Sequence, residues 1–335
     1  MKSVAVVILN YNGVNLLMKF LDDIILNSPE ADVILIDNDS NDNSVNWFKD
    51  NYPDLKCITL KKNLGYSVGY NTGLKHVKNK YYVLLNSDVR VPINWLSPLL
   101  NKFEADPDVA IMQPHILDQK NNNRFEYAGA AGGFIDKYGI PFCRGRINNT
   151  VEEDFGQYDD DTKIFWASGA CFVIRNEVFW ELGGFDPDFF AHQEEIDLCW
   201  RAYNQGYVSL SVGSSKVYHI GGATLSHSTH KTYLNHRNSL LMLLKNLPEK
   251  NKFSIIVYRL VLDGLLSINF SLRFKFKYAW AIIRAHFSFY KSIKKINSKN
   301  DDQIKKENYF FIKSILLEYF LKRNRYFNDL NKKIK

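Results

Sequence analysis

The sequence predicts an α/β protein, doubly wound around a mostly parallel sheet, with a helical extension at its C-terminal end. Three observations point there. Short apolar runs without alternation read as strands buried on both faces, as in a parallel sheet. Segments with apolar residues at helical spacing separate these runs. From about Lys231 onward the spacing is helical and stays so.

The first run, VAVVILNYN at 4–12, is a strand. It is too short for the apolar core of a secretory signal followed by a cleavage site. GVNLLMKFLDDIIL at 13–26 follows as a helix, ADVILIDNDS at 31–40 as a strand, NSVNWFKDNY at 43–52 as a helix, and LKCITL at 55–60 as a third strand. GYSVGYNTGLKHV at 65–77 starts glycine-rich and becomes helical, and YYVLLNSD at 81–88 is the fourth strand. A further helix and strand fall within 93–117. Residues 118–163 are rich in Asn, Gly and Asp, which predicts loops and short strands. A strand and then a helix are expected within 165–186, where Gly183-Gly184 reads as a cap and turn. A helix follows over 192–207, with Gly206 as its C-terminal cap, and one or two strands over 208–222.

Charge is unevenly placed. The 335 residues carry a net +7, yet residues 271–335 hold 17 Lys and Arg against 5 Asp and Glu, a local +12 that leaves −5 for residues 1–270. A basic tail on an acidic body suits an anionic surface as partner. No nucleic-acid motif accompanies the charge, so a nucleic acid is not expected. Within 253–296, Arg and Lys interrupt every long apolar run. A helix there would be amphipathic and basic, with aromatic side chains suited to lipid headgroups. Packing of this region on the body is the other reading. No uninterrupted run of about 18 apolar residues exists, so no transmembrane helix is expected. The four cysteines are far apart and lack metal or CxxC spacing, as in a reduced, cytosolic protein.

Three strands end in polar groups: Asn10-Tyr11-Asn12, Asp37-Asn38-Asp39 and Asn86-Ser87-Asp88. In an open parallel sheet, ligands bind beyond the C-terminal strand ends. Turn chemistry would account for any one of these endings. Three at one converging edge favour a site. Asp and Asn suit a base edge and ribose hydroxyls, so a nucleotide fits. A lone carboxylate such as Asp88 would repel phosphates unless a divalent cation lay between, and magnesium binds one or two carboxylates plus substrate phosphates.

VVILNYNG, IDNDSNDNS, NLGYSVGYNTG and LLNSDVRV, in this order, resemble family 2 glycosyltransferases of the GT-A fold. The stretch ASGACFVIRNEVFWELGGFDPDFFAHQEEIDLCWRA strengthens the resemblance, as do VYHIGG and HRNSL. It covers about residues 3–245 and is strongest to the rhamnosyltransferase-like branch that builds bacterial surface polysaccharides. The resemblance implies a GT-A domain over 1–240, with a nucleotide-sugar half at 1–117 and an acceptor half at 118–240, followed by a basic helical region at 241–335. It implies a nucleotide-diphosphate sugar donor, a saccharide or lipid-linked saccharide acceptor, a divalent cation (Mg2+ or Mn2+), and inversion by single displacement. Asn10, Asp37 and Asn38 should contact the nucleotide, and Asn63, Gly65 and Asn71 should pack close to it. Asn86-Ser87-Asp88 occupies the family's DxD position with Asn as first member, so the metal rests on Asp88, completed by His219. Glu194-Glu195 matches the catalytic pair, with Glu195 as base where Asp is common. Trp166, Ser168 and Gly169 should lie beside the acceptor. Work on a lipid-linked acceptor would place the protein in the cytoplasm, at the inner face of the cell membrane, in peripheral contact.

Spacing bears on two of these roles independently. Asp197 and Arg201 are i,i+4 neighbours on a helix and form a structural pair, which leaves Glu194 or Glu195 to face the crevice. Acidic residues at a helix start also complement its dipole. His219 has rivals in His192, His227, His230 and His236. The glycine pair after it, permitting close backbone approach, favours it. Two other classes compete: a nucleotidyltransferase, for which NYNGVNLL lacks a basic loop residue, and a non-enzymatic carbohydrate- or nucleic-acid-binding protein.

Overall fold

A computed structural model of the chain describes residues 2–221, 228–297 and 304–331. Gly222 and His227 lie outside the described residues. The first half is built from β1 (Val4–Asn10), α1 (Val14–Leu26), β2 (Ala31–Asp37), α2 (Ser44–Asn51), β3 (Lys56–Thr59), α3 (Gly65–Leu74) and β4 (Tyr81–Leu85). These four strands are parallel, in the order β4-β1-β2-β3. Successive residues of β1 feed opposite cores, Ala5 and Val7 on one face and Val4, Val6 and Ile8 on the other. Burial on both faces is why the strand reads as apolar without alternation.

The chain continues through β5 (Val89–Arg90), α4 (Ser97–Ala105), β6 (Val109–Asp118) and β7 (Asn121–Phe125). A small antiparallel sheet follows: β8 (Gly133–Ile135), β9 (Pro141–Cys143), β10 (Arg146–Ile147) and β11 (Thr150–Val151). Then come β12 (Thr162–Ile164), β13 (Cys171–Arg175), α5 (Asn176–Glu181), α6 (Glu194–Gln205) and β14 (Val208–His219). The main sheet runs β12-β14-β6-β13-β4-β1-β2-β3, with β5 on β14 and β7 on β6. β13 enters antiparallel between β4 and β6, and β14 returns parallel to β6. The sheet is therefore mixed, and parallel through its first half. α1 and α4 cover one face through Leu17, Phe20, Leu99 and Phe103. α3, α5, α6 and the small sheet cover the other through Tyr70, Phe179, Trp200 and Phe142.

Three long helices follow: α7 (Thr229–Asn246), α8 (Glu249–Leu272) and α9 (Phe276–Asn297). α7 runs across residue 240, so the helical region starts before the expected boundary. Ser228 caps it, its hydroxyl accepting from the Lys231 amide at 3.1 Å. The chain then returns to the body through a π turn (Leu317–Leu321) and α10 (Phe327–Asn331). Tyr309, Ile315, Phe327 and Leu330 join the core that holds Phe134 and Phe142. The Ile315 amide donates to Asp136 Oδ2 at 2.9 Å, and the Phe327 amide to Glu152 Oε1 at 3.0 Å.

No transmembrane helix is expected from the sequence, yet one helix has the length and composition of a span. α8 is long and apolar enough to cross a membrane by length and composition, with mean hydropathy 1.6 over its most apolar window, of which 22% is buried. Arg259 and Asp263 interrupt the run, which is why it does not read as continuous. Both are buried. Arg259 donates to the carbonyls of Tyr138 (3.0 Å) and Gly139 (3.2 Å) and to Ser239 Oγ (2.7 Å). Asp263 lies 2.9 Å from His236 Nδ1 and 3.3 Å from His286 Nε2. Burial opposes its charge, but the two imidazoles hold its carboxyl well below the usual range.

The Phe327 ring packs on Phe134 at 5.1 Å and Phe311 at 5.4 Å between centroids. Phe327→Ala is expected to lower stability by about 3–5 kcal/mol, read from the urea midpoint. An unchanged midpoint would mean that the chain's end is not part of the core.

Candidate active site

The sheet register brings the polar strand ends to one edge: Asn10 pairs with Asp37, and Ile8 with Leu85, the residue before Asn86. Their side chains do different work. Asn10 Nδ2 donates to Asp37 Oδ1 at 3.0 Å, and Asp37 also accepts from the Ser40 amide (2.9 Å) and hydroxyl (2.6 Å). Asn38 donates to Asn63 Oδ1 (3.0 Å) and the Gly65 carbonyl (3.1 Å) and accepts from the Leu64 amide (2.9 Å). Both ends of that amide hold the loop at 63–65. Gly65 has φ +71°, and a Cβ there would lie 2.5 Å from the Phe190 carbonyl oxygen. The Tyr66 amide donates to that same oxygen at 2.7 Å. The close approach that the glycine allows is thus to Phe190. Asn71 uses its amide on the backbone of Phe185, donating at 2.6 Å and accepting at 3.0 Å. Asn38, Gly65 and Asn71 thus fasten the loop at 63–65 and the backbone of Phe185 and Phe190 to one another.

Asp88 follows Asn86 and the buried Ser87, directly before β5. β5 pairs with β14, Val89 opposite His219 and Arg90 opposite Tyr218. That pairing carries His219 to Asp88, with Nε2 3.1 Å from Oδ1. On the other side, His219 Nδ1 is 3.6 Å from Glu126 Oε1. Asp88 is fully buried; His219 is the one partner of its Oδ1, and its Oδ2 has no hydrogen-bond partner. Burial disfavours an imidazolium at His219, but Asp88 and Glu126 outweigh it and push its pKa up to about 10. An orphaned buried carboxylate oxygen beside an imidazole marks an excess of negative charge awaiting a cation, so these residues fit a divalent ion. Among the described residues no three His, Cys, Asp or Glu side chains converge as a complete ligand set. Such an ion would need further donors from a diphosphate and water, the usual arrangement for magnesium.

Glu194 and Glu195 open α6 after two consecutive left-handed residues, His192 (φ 71°) and Gln193 (φ 73°). Glu194 is buried, Glu195 is half-buried, and one carboxylate oxygen of each lacks a hydrogen-bond partner. Burial raises both pKa values, that of Glu195 to about 7, and the Glu195 charge raises Glu194 further. Asp197 is the structural member: Arg201 Nε donates to it at 2.9 Å and Asn246 Nδ2 at 2.7 Å. Gly169 lies beside the pair's neighbour Tyr66, whose hydroxyl donates to its carbonyl at 3.0 Å. Ser168 and Trp166 are buried below, the serine amide donating to Gln113 Oε1 at 2.9 Å and the indole to the Phe134 carbonyl at 3.0 Å.

The family described as glycosyl transferase family 2 matches residues 5–183, more than half of the chain. The chain belongs to glycosyl transferase family 2. Its activity is transfer of a sugar from a nucleotide-activated donor to an acceptor. Among curated relatives, N-acetylglucosaminyl-diphospho-decaprenol L-rhamnosyltransferase of Mycobacterium tuberculosis is 25% identical over 218 residues, 60% of this chain and 67% of the relative. Among solved structures, GalNAc-T7 with UDP, GalNAc and Mn2+ matches with TM-score 0.59 and 20% identity, over 74% of this chain and 49% of that one. TarS 1-349 of S. aureus with UDP-GlcNAc matches with TM-score 0.57 and 16% identity, over 89% and 83%. These likenesses give the glycosyltransferase its GT-A fold.

Of the expected residues, the structure brings Asp88 and His219 together, and seats Glu194 and Glu195 near Tyr66, whose hydroxyl meets the Gly169 carbonyl. Glu126 is the residue that sequence reading missed. It sits after β7 in the irregular stretch, where no periodicity places a side chain. Its one trace is the glycine after His219: Gly221 has φ +61°, and a Cβ there would lie 2.7 Å from Glu126 Oε1.

A raised carboxyl pKa has a consequence for stability. The unfolded carboxyl ionises near 4.5, the folded Glu195 near 7. Folding is therefore penalised as pH rises through this window, and the penalty is complete above 7. Glu195→Gln is expected to raise the melting temperature over the parent at pH 8 and to leave it nearly unchanged at pH 4. An equal shift at both pH values would show that burial of the charge is not the cause.

Proposed function

We propose that this enzyme transfers a hexosyl or deoxyhexosyl group, with inversion, from a nucleotide-diphosphate sugar to a hydroxyl of a saccharide or lipid-linked saccharide, in building a cell-surface polysaccharide. The observation that carries this reading is Asp88, fully buried at the end of the first sheet half, with Oδ1 against His219 and Oδ2 unpartnered. Asp88 would hold Mg2+ or Mn2+, with His219 as a second ligand once the cation displaces its proton. When bound, the cation neutralises the charge developing on the leaving diphosphate. Glu126 orients His219 from its far side, as a carboxylate behind a ligating imidazole commonly does. Asn10, Asp37, Asn86 and Ser87 form the nucleotide edge, while Asn38 and Asn63 hold the loop that borders it.

Glu195 is the base. Its pKa near 7 matches a group that must be ionised, yet still accept a proton, at neutral pH. It takes the acceptor hydroxyl proton as the oxygen bonds to the anomeric carbon and the bond to the diphosphate breaks with its electron pair. One in-line displacement inverts the centre. The mycobacterial relative's name specifies rhamnosyl transfer to a decaprenol-linked acceptor, which supports a deoxyhexose and a polyprenyl-diphosphate carrier here. A lipid carrier supports action at the cytoplasmic face of a membrane.

The test is release of nucleoside diphosphate across a panel of nucleotide-diphosphate sugars, with and without Mg2+ or Mn2+. A nucleotidyltransferase would cleave between the two phosphates and release sugar 1-phosphate instead, and a binding module would release nothing. Asp88→Ala is expected to abolish the metal-dependent part of nucleotide affinity, measured by calorimetry on variant protein that circular dichroism shows to be folded. Unaltered affinity with metal present overturns the assignment. Glu195→Gln should lower turnover by about 10²–10⁴ while donor affinity is retained. The parent's rate should fall as pH drops below about 7, because Glu195 is then protonated. If Glu194→Gln is the crippled variant and Glu195→Gln is not, the roles within the pair are exchanged.

A further inference from the structure

We infer that the outer face of the α8–α9 hairpin docks on the headgroup region of an anionic phospholipid bilayer, and lies on that surface rather than spanning it. On α8, Phe253, Val257, Val261 and Leu265 recur every fourth residue and are 82%, 40%, 56% and 59% exposed. On α9, Phe276, Trp280 and Phe287 are about equally open, at 60%, 57% and 60%. Phe274, at the turn between the helices, is 84% exposed. These are aliphatic and aromatic side chains on helices whose other faces are already packed, α9 on both α7 and α8. Exposed basic residues flank them: Arg273, Lys275 and Lys277 at the turn, Lys291 and Lys294 near the far end of α9.

Charge decides the occupant. Between residues 250 and 297 the only acidic residue is Asp263, which is buried. A second copy meeting this face would set lysine against lysine with no carboxylate to separate them. An anionic bilayer offers both needs at once, an apolar interior for the aromatic side chains and phosphates for the cations. Spanning is opposed by Arg259 and Asp263, which fasten the inner face of α8 to the Tyr138–Gly139 carbonyls and to two histidines. A helix crossing the membrane would have to abandon those partners and carry both charges into hydrocarbon.

The test uses the full chain, co-sedimented with phosphatidylcholine vesicles and with vesicles containing phosphatidylglycerol, at low and high salt. Binding is expected to the anionic vesicles and to weaken with salt. Lys275→Glu with Lys277→Glu should lower it by about tenfold or more, and Val261→Glu with Leu265→Glu by a comparable factor. Vesicles should blue-shift tryptophan emission in the parent, and Trp280→Phe should remove most of that shift. The substituted residues are exposed, so melting temperatures should not move, and donor hydrolysis in solution reads the glycosyltransferase assignment separately. Equal sedimentation of parent and variants, or no preference for anionic lipid, overturns the inference. A dimer that dissociates on Leu265→Glu, with no vesicle binding, assigns the face to a second copy. Protein that resists alkaline carbonate extraction would mean that the hairpin spans.

Discussion

Two backbone pairs, Val89 with His219 and Arg90 with Tyr218, join β5 to the end of β14, and the rest of the site depends on that junction. Asp88 and His219 are far apart in sequence. Each belongs to a different half of the sheet, and only the short antiparallel ladder sets one against the other. The Ile220 amide, donating to the Asp88 carbonyl at 3.2 Å, extends the junction past the strand. Glu126 then closes the far side of the imidazole. Three ionisable groups are thereby buried in one place, an arrangement tolerated only when charge is balanced. One imidazolium between two carboxylates still leaves an excess of negative charge, and the unpartnered Oδ2 of Asp88 marks where it sits.

The second charged feature is set up differently. Among the described residues no cation acts on Glu194 and Glu195 as Asp88 and Glu126 act on His219, and their raised pKa values come from burial first. The segment that delivers them contains two successive left-handed residues that are not glycine, a conformation that surrounding structure must enforce. Gly65 shares in that enforcement, because only a residue without Cβ lets the backbone at 65–66 reach Phe190. The glycine-rich start of α3 thus supports the segment that carries Glu194 and Glu195.

Most of the fold is legible in the sequence because the strands are buried on both faces and the helices on one, and these two patterns differ in period. The helix after residue 192 and its cap at Gly206 (φ 98°) fall where the pattern puts them. The direction of β13 is not legible. CFVIR is equally apolar either way round, and only its pairing with β4 and β6 makes the sheet mixed. The site divides in the same manner. A carboxylate at a strand end can be located from sequence, and so can an i,i+4 pair such as Asp197–Arg201. The partners of an amide are not legible in the same way: that Asn38 fastens the loop at 63–65 and Asn71 the backbone of Phe185 shows only in the fold. α8 illustrates a third limit. Arg259 and Asp263 look like interruptions of an apolar face, yet they point inward and leave the outer stripe continuous.

The helical region is not a detachable tail, and its hydrogen bonds show why. Asn238 on α7 is fully buried and donates to the carbonyls of Ala191 (2.9 Å) and His192 (2.8 Å), the residues just before the strained step into Glu194. Arg237 reaches the Asp188 carbonyl at 2.8 Å, and Lys245 pairs with Asp186. Lys295 on α9 pairs with Asp188 at 2.6 Å, but it is 62% exposed and such pairs contribute little. The buried amide matters more, since leaving two carbonyls unsatisfied costs about 1–3 kcal/mol each. The segment carrying the proposed base is therefore held from behind by α7, and α7 packs on α9, whose own outer face is open. A surface that meets a membrane and a loop that positions a carboxylate are joined through one layer of helix. Removing the hairpin by truncation would strip packing from α7 and disturb the site with it. Point substitutions on the exposed stripe leave that layer intact, so they can separate the place where the enzyme sits from the reaction it performs.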